Sequence, residues 1–376
     1  MTKYGGCLIF RKDWAAFNFT WEALNLLDRD NSRTRNSGYT PNCWEKHLAD
    51  GRLQCTLCPR ECQLAANQHG FCYIRQNNGD HIVNTSFGLT TGAAIDPIEK
   101  KPLYHFMPQS RALSFGTLGC NMGCKFCQNS HITKDCRDKE LGLPMPPQKV
   151  GLIALNYQSD SVAFTYNDPI IWADYAIESA KVCHSLGLRT VAVTAGYINP
   201  KPRIEFFSHM DAANIDLKAF NPKFYKDYCQ ADIKPILDTI IYVKEHTKCW
   251  LELTTLIIPG LNDSEQEIKD LSQWIYKELG PDVPLHLSAF HPAHLMRDKE
   301  NTPPETLFKA RKIALEAGLH YVYTGNIADP ASQSTYCTKC GRLLIERLLN
   351  LIEYKDFDAA KGCCQACATP LPGVFA

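Results

Sequence analysis

The chain has no net charge: 40 Lys plus Arg stand against 40 Asp plus Glu among 376 residues. Such a balance raises no long-range field, which argues against nucleic acid and anionic membrane as partners. Nowhere do about 18 apolar residues run uninterrupted, so no transmembrane helix is expected. The opening MTKYGGCLIFRKDWAAF lacks an apolar run followed by a small-residue cleavage site. The expectation is a soluble, cytoplasmic protein. These absences decide how the cysteines are read. Eighteen of them in a small secreted domain would mean disulfides, but in a long chain without an export signal they point to metal and cluster ligation. Eleven fall into three groups.

The central group is Cys120, Cys124 and Cys127, spaced C-x3-C-x2-C within GTLGCNMGCKFCQN. Thiolates are soft iron ligands, and a glycine-rich turn folds three of them to a common centre, so the pattern suits three corners of a cubane iron-sulfur cluster. The fourth iron then has no protein ligand, which makes a reaction site rather than a closed electron carrier. A structural zinc turn is the competing reading of the spacing.

The other groups flank this one. Residues 1–52, with Trp14, Phe17, Phe19, Trp21 and Trp44, show no clear period and read as an N-terminal extension. Cys55, Cys58, Cys62 and Cys72 follow, in a set that fits either a tetrahedral zinc, with thiolates about 2.3 Å from the ion, or an auxiliary iron-sulfur cluster. Zinc is the expected occupant. Near the end, Cys337, Cys340, Cys364 and Cys367 form two C-x2-C knuckles of the zinc-ribbon kind, and Cys364 gives better spacing than its neighbour Cys363. The boundaries expected are 53–108 for the first cysteine module and its connecting segment, 109–328 for the catalytic domain and 329–376 for the terminal module. Between 88 and 106 the text GLTTGAAIDPIEKKPLYHF is too broken by Pro97 and Pro102 for a regular amphipathic element. It reads as a structured loop or strand pair, a solvated connection in the simpler reading, with Glu99, Lys101 or His105 facing substrate as the alternative.

From Arg111 onward the pattern alternates. Strands are expected at 111–118, 161–165, 189–194, 212–218, 250–258, 285–290 and 321–323, with helices such as 169–186 and 264–279 between them. Strand and helix repeated six times over short connections argue for parallel pairing with right-handed crossovers. Parallel barrels carry their chemistry at the carboxyl ends of the strands. Polar residues stand there in series: Asn167 and Asp168, Thr194 and Gly196, Asp216 and Lys218, then His291. Asp216 and Lys218, two apart on one strand, share a face and suit the amino and carboxylate groups of an amino-acid moiety. An ion pair between the two is the alternative.

Taken together, GTLGCNMGCKFCQN, LCPREC, IDPIEKKPLYHF, TYNDP, NIDLKAF, LIIPGLND, FHP and YTGN make the chain from about Leu53 onward similar to the radical S-adenosylmethionine enzymes of the AmmeMemoRadiSam system, relatives of the pyruvate formate-lyase activating enzymes. The resemblance implies an α/β fold, a partial TIM-type (β/α)6 barrel with an N-terminal four-cysteine module and a C-terminal zinc-ribbon-like module. It implies a [4Fe-4S] cluster on Cys120, Cys124 and Cys127, with S-adenosylmethionine chelated to the open iron and cleaved reductively to a 5′-deoxyadenosyl radical that takes hydrogen from a substrate. Phe126 would pack near adenine, Asn167 and Asp168 would lie at the methionine amino group, Thr194 and Gly196 at the ribose, and Asp216, Lys218 and His291 would make further cofactor contacts. Relatives commonly read Asn-Glu-Pro and Thr-Asn-Gly where this chain has Asn167-Asp168-Pro169 and Thr194-Ala195-Gly196, and Ala195 lacks the amide donor and acceptor. Implied partners are an external electron donor, Memo-like and AMME-type proteins and an unidentified small or partner-presented substrate. The alternatives are activation of a glycyl-radical enzyme and, in another class, a zinc-binding interaction protein.

Overall fold

The computed structural model describes residues 7–8, 44–134, 142–348 and 351–375. Trp14, Phe17, Phe19 and Trp21 of the expected N-terminal extension lie outside them. The chain divides into two compact units, residues 1–96, 111–121 and 129–210 in one and 97–110, 122–128 and 211–376 in the other. The architecture is α/β with a mostly parallel central sheet.

In the first unit the strands run in the order β1 (Cys7–Leu8), β2 (Gly92–Pro97), β3 (Arg111–Gly116), β4 (Ser161–Phe164) and β5 (Arg189–Thr194). β4 pairs in parallel with β3 on one side and β5 on the other. Its four residues Ser-Val-Ala-Phe are all buried, as a strand covered on both faces requires. Helix α1 (Pro147–Asn156) starts on a proline, whose missing N–H costs nothing at a first turn. The helix expected over 169–186 is instead a 3-10 turn, Pro169–Trp172, followed by α2 (Ala173–Ser185). The turn tightens because the Asp168 carboxylate accepts the Ile170 N–H at 3.1 Å. α2 buries residues on nearly every side, which explains its weak period; among them Asp174 pairs with Arg75 at 3.0 Å and accepts from Asn84 at 2.7 Å. The first cysteine module is built from short antiparallel pairs. Glu45–His47, before the expected 52/53 boundary, pairs with Leu53–Cys55, which pairs in turn with Gln63–Leu64.

The second unit holds β6 (Ala212–Asp216), β7 (Trp250–Ile257), β8 (Leu285–Ala289) and β9 (Val322–Gly325), each parallel to the next. Between β7 and β8 lies α3 (Glu265–Leu279), which begins where Ser264 accepts the Glu267 N–H and ends at Gly280 with φ +85°. Its buried side is Ile268, Leu271, Ser272, Ile275 and Leu279, a single helical face. Trp274, expected on that face, is only half-buried and lies against Phe220 at 5.8 Å between rings. After β9 come two small antiparallel sheets, Thr335–Tyr336 with Leu343–Leu348 and Leu351–Tyr354, then Phe357–Asp358 with Cys363–Cys364. No helix among the described residues is long and apolar enough to cross a membrane.

A buried polar network ties the 97–110 segment into this unit. Glu252, in the middle of β7, accepts from the backbone of Tyr104 (3.0 Å) and His105 (2.8 Å), from Trp250 Nε1 (3.0 Å) and from His286 Nε2 (2.6 Å). Burial opposes its charge, and the His286 hydrogen bond together with the nearby His286 and His105 rings outweighs burial and holds the carboxyl below its ordinary value. His105 is fully buried; its Nδ1 donates to the Pro372 carbonyl and its Nε2 accepts from the Tyr323 hydroxyl, both at 2.6 Å. His105 therefore has a structural role, and Glu99 is likewise turned inward, accepting the Gln109 N–H at 2.9 Å.

Burial lowers the His105 pKa from 6.5 to about 4. The ring is neutral when folded and takes a proton below pH 6.5 when unfolded, so protons favour the unfolded chain between those limits. Stability should be full above pH 6.5 and fall as pH drops toward 4, by about 2 kcal/mol at pH 5 relative to pH 8. Urea midpoints at pH 8, 6.5 and 5 measure this; the slope should flatten in His105→Gln, and an unchanged slope there assigns the loss to other groups.

Candidate active site

β3 ends at Gly116 and the cysteine loop begins. A Cβ at Gly116 would stand 2.3 Å from the Thr165 carbonyl and 2.8 Å from Asn167 Oδ1. At Gly119, where φ is +80°, a Cβ would meet the Cys72 carbonyl oxygen at 1.9 Å. Both positions exclude any side chain. The space so left is used by Asn167. Its Oδ1 accepts from Thr117 N and Trp172 Nε1, each at 3.1 Å, and its Nδ2 donates to Thr117 Oγ1, Leu118 O and Gly119 O at 3.0–3.2 Å. The loop is closed further by Gly119 N on Ile132 O (2.9 Å), Asn129 Nδ2 on Tyr166 O (2.7 Å) and Asn121 Nδ2 on Tyr197 O (2.8 Å). Cys120 emerges from this clamp half-buried.

Asp168 reaches the next strand end. Its Oδ1 accepts the Thr194 hydroxyl at 2.7 Å, its Oδ2 accepts the Ala195 N–H at 3.1 Å, and Thr194 Oγ1 accepts the Gly196 N–H at 2.9 Å. The shorter carboxylate thus serves the Thr194-Ala195-Gly196 turn through backbone, a contact that alanine at 195 leaves intact. The structure brings together Asn167, Asp168, Thr194 and Gly196 in one hydrogen-bonded edge of the first unit.

In the second unit Gly123 N donates to Cys229 O (2.7 Å) and Lys125 N to Tyr228 O (2.9 Å), which fixes the strand of loop bearing Cys124. Cys124 is buried and Cys127 half-buried, and neither is in a disulfide. Phe126 is buried against Phe224 at 5.8 Å between ring centres, with the Lys218 ammonium 6.0 Å from its centroid. Lys218 Nζ bonds Asp216 Oδ2 at 2.8 Å, so these two residues meet as a pair. Burial opposes the Lys218 charge, and Asp216 with the Cys124 and Cys229 sulfurs holds its pKa well above the ordinary lysine value. His291 is exposed, its Nδ1 2.9 Å from Asn301 Oδ1.

The terminal cysteines form a compact donor set. Cys337 and Cys367 sulfurs are 3.5 Å apart, Cys340 and Cys364 3.6 Å, and all four lie within 4.8 Å of one another. Tetrahedral zinc at about 2.3 Å from each thiolate needs sulfurs separated by about 3.8 Å, so the set fits one such ion. It is Cys364 and not Cys363 that enters the group. The set is backed by an apolar core of Tyr321, Tyr323, Leu344, Ile345, Phe357 and Leu371.

Sequence reasoning missed the buried carboxylates Asp174 and Glu252. A lone acid inside an apolar stretch, as in Trp250-Leu-Glu-Leu, was the available signal, since such a charge is buried only with partners.

Residues 115–274 match the Radical SAM superfamily. An uncharacterized protein of Methanocaldococcus jannaschii is 36% identical over 320 residues, spanning 85% of this chain and 95% of that protein. A putative glycyl-radical enzyme activating enzyme of the same organism is 25% identical over 206 residues, 53% of this chain and 75% of that one. Among solved structures, a radical SAM methyltransferase from Sphaerobacter thermophilus aligns with a TM-score of 0.49 at 15% identity, over 88% of this chain and 90% of that one.

Asn167→Ala would remove five hydrogen bonds, four of them to the loop and one to Trp172, and leave the buried Thr117 N–H without its acceptor. The expected loss is about 2–4 kcal/mol of unfolding free energy. Urea unfolding of the metal-free protein measures it, and a change under about 0.5 kcal/mol, the ordinary surface range, refutes the clamp.

Proposed function

The chain belongs to the radical SAM superfamily, and on that premise we propose an oxidoreductase-type radical enzyme whose cluster ligands are Cys120, Cys124 and Cys127. When bound, a [4Fe-4S] cluster and S-adenosylmethionine supply a one-electron cleavage that gives 5′-deoxyadenosine after hydrogen abstraction. The reading rests on one observation: three thiols free of disulfides, spaced C-x3-C-x2-C, on a loop that Asn167 clamps at the end of a parallel strand. The donor set fits, because three soft ligands leave one iron open.

In this proposal the chain's own residues divide the work. Asn167 is a positioning residue, since every polar atom of its amide is spent on the loop. Asp168 orients the Thr194–Gly196 turn, which offers backbone groups to the ribose. Asp216 and Lys218 present one charge of each sign to an amino-acid moiety, and Phe126 supplies an apolar face for adenine. His291, exposed, contributes after a ligand covers it. The proposal extends to a partial (β/α)6 barrel, an N-terminal four-cysteine module, a zinc-ribbon-like module holding zinc at Cys337, Cys340, Cys364 and Cys367, an external electron donor, and Memo-like and AMME-type partners as the AmmeMemoRadiSam resemblance implies.

For the hydrogen donor we favour a small or partner-presented substrate, because cysteine modules precede and follow the catalytic stretch in the sequence and a carbon radical needs shielding from water. The likeness to a putative glycyl-radical enzyme activating enzyme supports the second reading, a backbone glycine of a partner enzyme.

Anaerobic protein supplied with dithionite should convert S-adenosylmethionine to 5′-deoxyadenosine, and Cys124→Ala should reduce this to background. Equal turnover by the variant would overturn the assignment, while zinc at every cysteine group and no iron would establish an interaction protein instead. Deuterium transferred into 5′-deoxyadenosine only from a glycine-labelled glycyl-radical enzyme would select the second reading. The terminal set should hold about one zinc. Cys364→Ser should lose it and unfold at lower urea; a variant that keeps both zinc and midpoint refutes the site.

A further inference from the structure

The first cysteine group differs in geometry from the last. All four of its residues, Cys55, Cys58, Cys62 and Cys72, belong to the first unit and are free of disulfides. Their thiols are not drawn together: among the described residues the terminal set meets the 4.8 Å mutual separation, and no three of these four do. They stand instead around a cavity whose wall also includes Arg75 and Asn121. A single zinc would need these sulfurs drawn in to about 3.8 Å from one another. A cubane places each thiolate on a separate iron at a separate corner, and its sulfurs stand correspondingly further apart.

Two more observations point to an anionic occupant. Arg75 is 3% exposed, with Nε on the Ile171 carbonyl and Nη1 on Asp174, yet its Nη2 is buried without a partner. A buried guanidinium N–H left over at a wall of thiols is a donor waiting for cluster or thiolate sulfur. The sulfurs are also served by backbone N–H groups: Phe71 N reaches Cys62 Sγ at 3.5 Å, and Leu57, Arg60 and Ile74 turn theirs toward Cys55, Cys58 and Cys72. Such donors stabilise thiolates and set cluster potentials.

We propose that Cys55, Cys58, Cys62 and Cys72 ligate an auxiliary [4Fe-4S] cluster, in place of the zinc that their spacing favours. The site adjoins the cysteine loop within the same unit. The Cys72 carbonyl packs on the bare α-carbon of Gly119, and Asn121, the neighbour of Cys120, forms part of the cavity wall.

The test uses the full chain, purified anaerobically and reconstituted with iron and sulfide. The Cys120/Cys124/Cys127→Ala variant should retain about four iron and four sulfide with a cubane Mössbauer spectrum. A second zinc there in place of iron, or no metal at all, overturns the proposal. The Cys58/Cys62→Ser variant, in which the loop cysteines remain, provides a second measure: its iron should fall by half relative to the unsubstituted chain, and unchanged iron overturns the proposal. Failure of the radical-enzyme reading would look different. The unsubstituted chain and the triple-alanine variant would then carry the same iron, and the proposed auxiliary cluster would account for all of it.

Discussion

Position 119 admits no side chain. The Cys72 carbonyl oxygen occupies the place of a Cβ, and the backbone there is left-handed, so both the contact and the conformation demand glycine. This single close approach fixes the first cysteine module against the start of the loop bearing Cys120. The hydrogen bonds of Asn167 then have a defined target, because Thr117, Leu118 and Gly119 are held where one amide can reach all three. A larger residue at 119 would disturb two cysteine groups at once.

Around that point, adjacent side chains do different tasks. Asn167 faces back to the loop and Asp168 forward to the Thr194–Gly196 turn, so the proline at 169 begins a tightened helical turn directly after two anchored residues. Neutral amide and carboxylate are suited to these roles. The amide must both donate and accept, whereas Asp168 accepts from three donors, two of them backbone N–H groups. In the second unit, Asp216 and Lys218 satisfy each other, which keeps a charged pair available at a strand end without leaving either ion unpaired.

The parallel strands were legible because each is a short apolar run between turn signals, and their observed ends fall within two residues of expectation. The chemistry of the strand ends was legible as residue types but not as partners. Nothing in the text says that Asn167 spends its amide on the loop, or that Asp168 compensates for alanine at 195 by taking its backbone N–H. The helix expected over 169–186 opens as a 3-10 turn over Pro169–Trp172, capped by Asp168, and becomes α-helical only at Ala173, a change of helix type that the apolar period does not carry. His105 and Glu252 were harder still. Their 147-residue separation hides a contact that only the folded strand order creates.

The cysteine groups show where spacing stops being informative. C-x2-C brings two thiols to one turn in both the first and the last group, and either turn can serve a single ion or a cluster corner. What separates them is the distance over which the second pair approaches the first. In the terminal group two hairpins close until sulfurs meet at 3.5 and 3.6 Å, and an apolar core behind them makes that closure favourable. In the first group the Cys72 carbonyl packs against Gly119 and the Arg75 guanidinium is paired with Asp174, which fixes the backbone and the cation around the gap. The cavity is therefore held open by the same contacts that position the neighbouring loop, and an occupant must match a separation fixed by the fold.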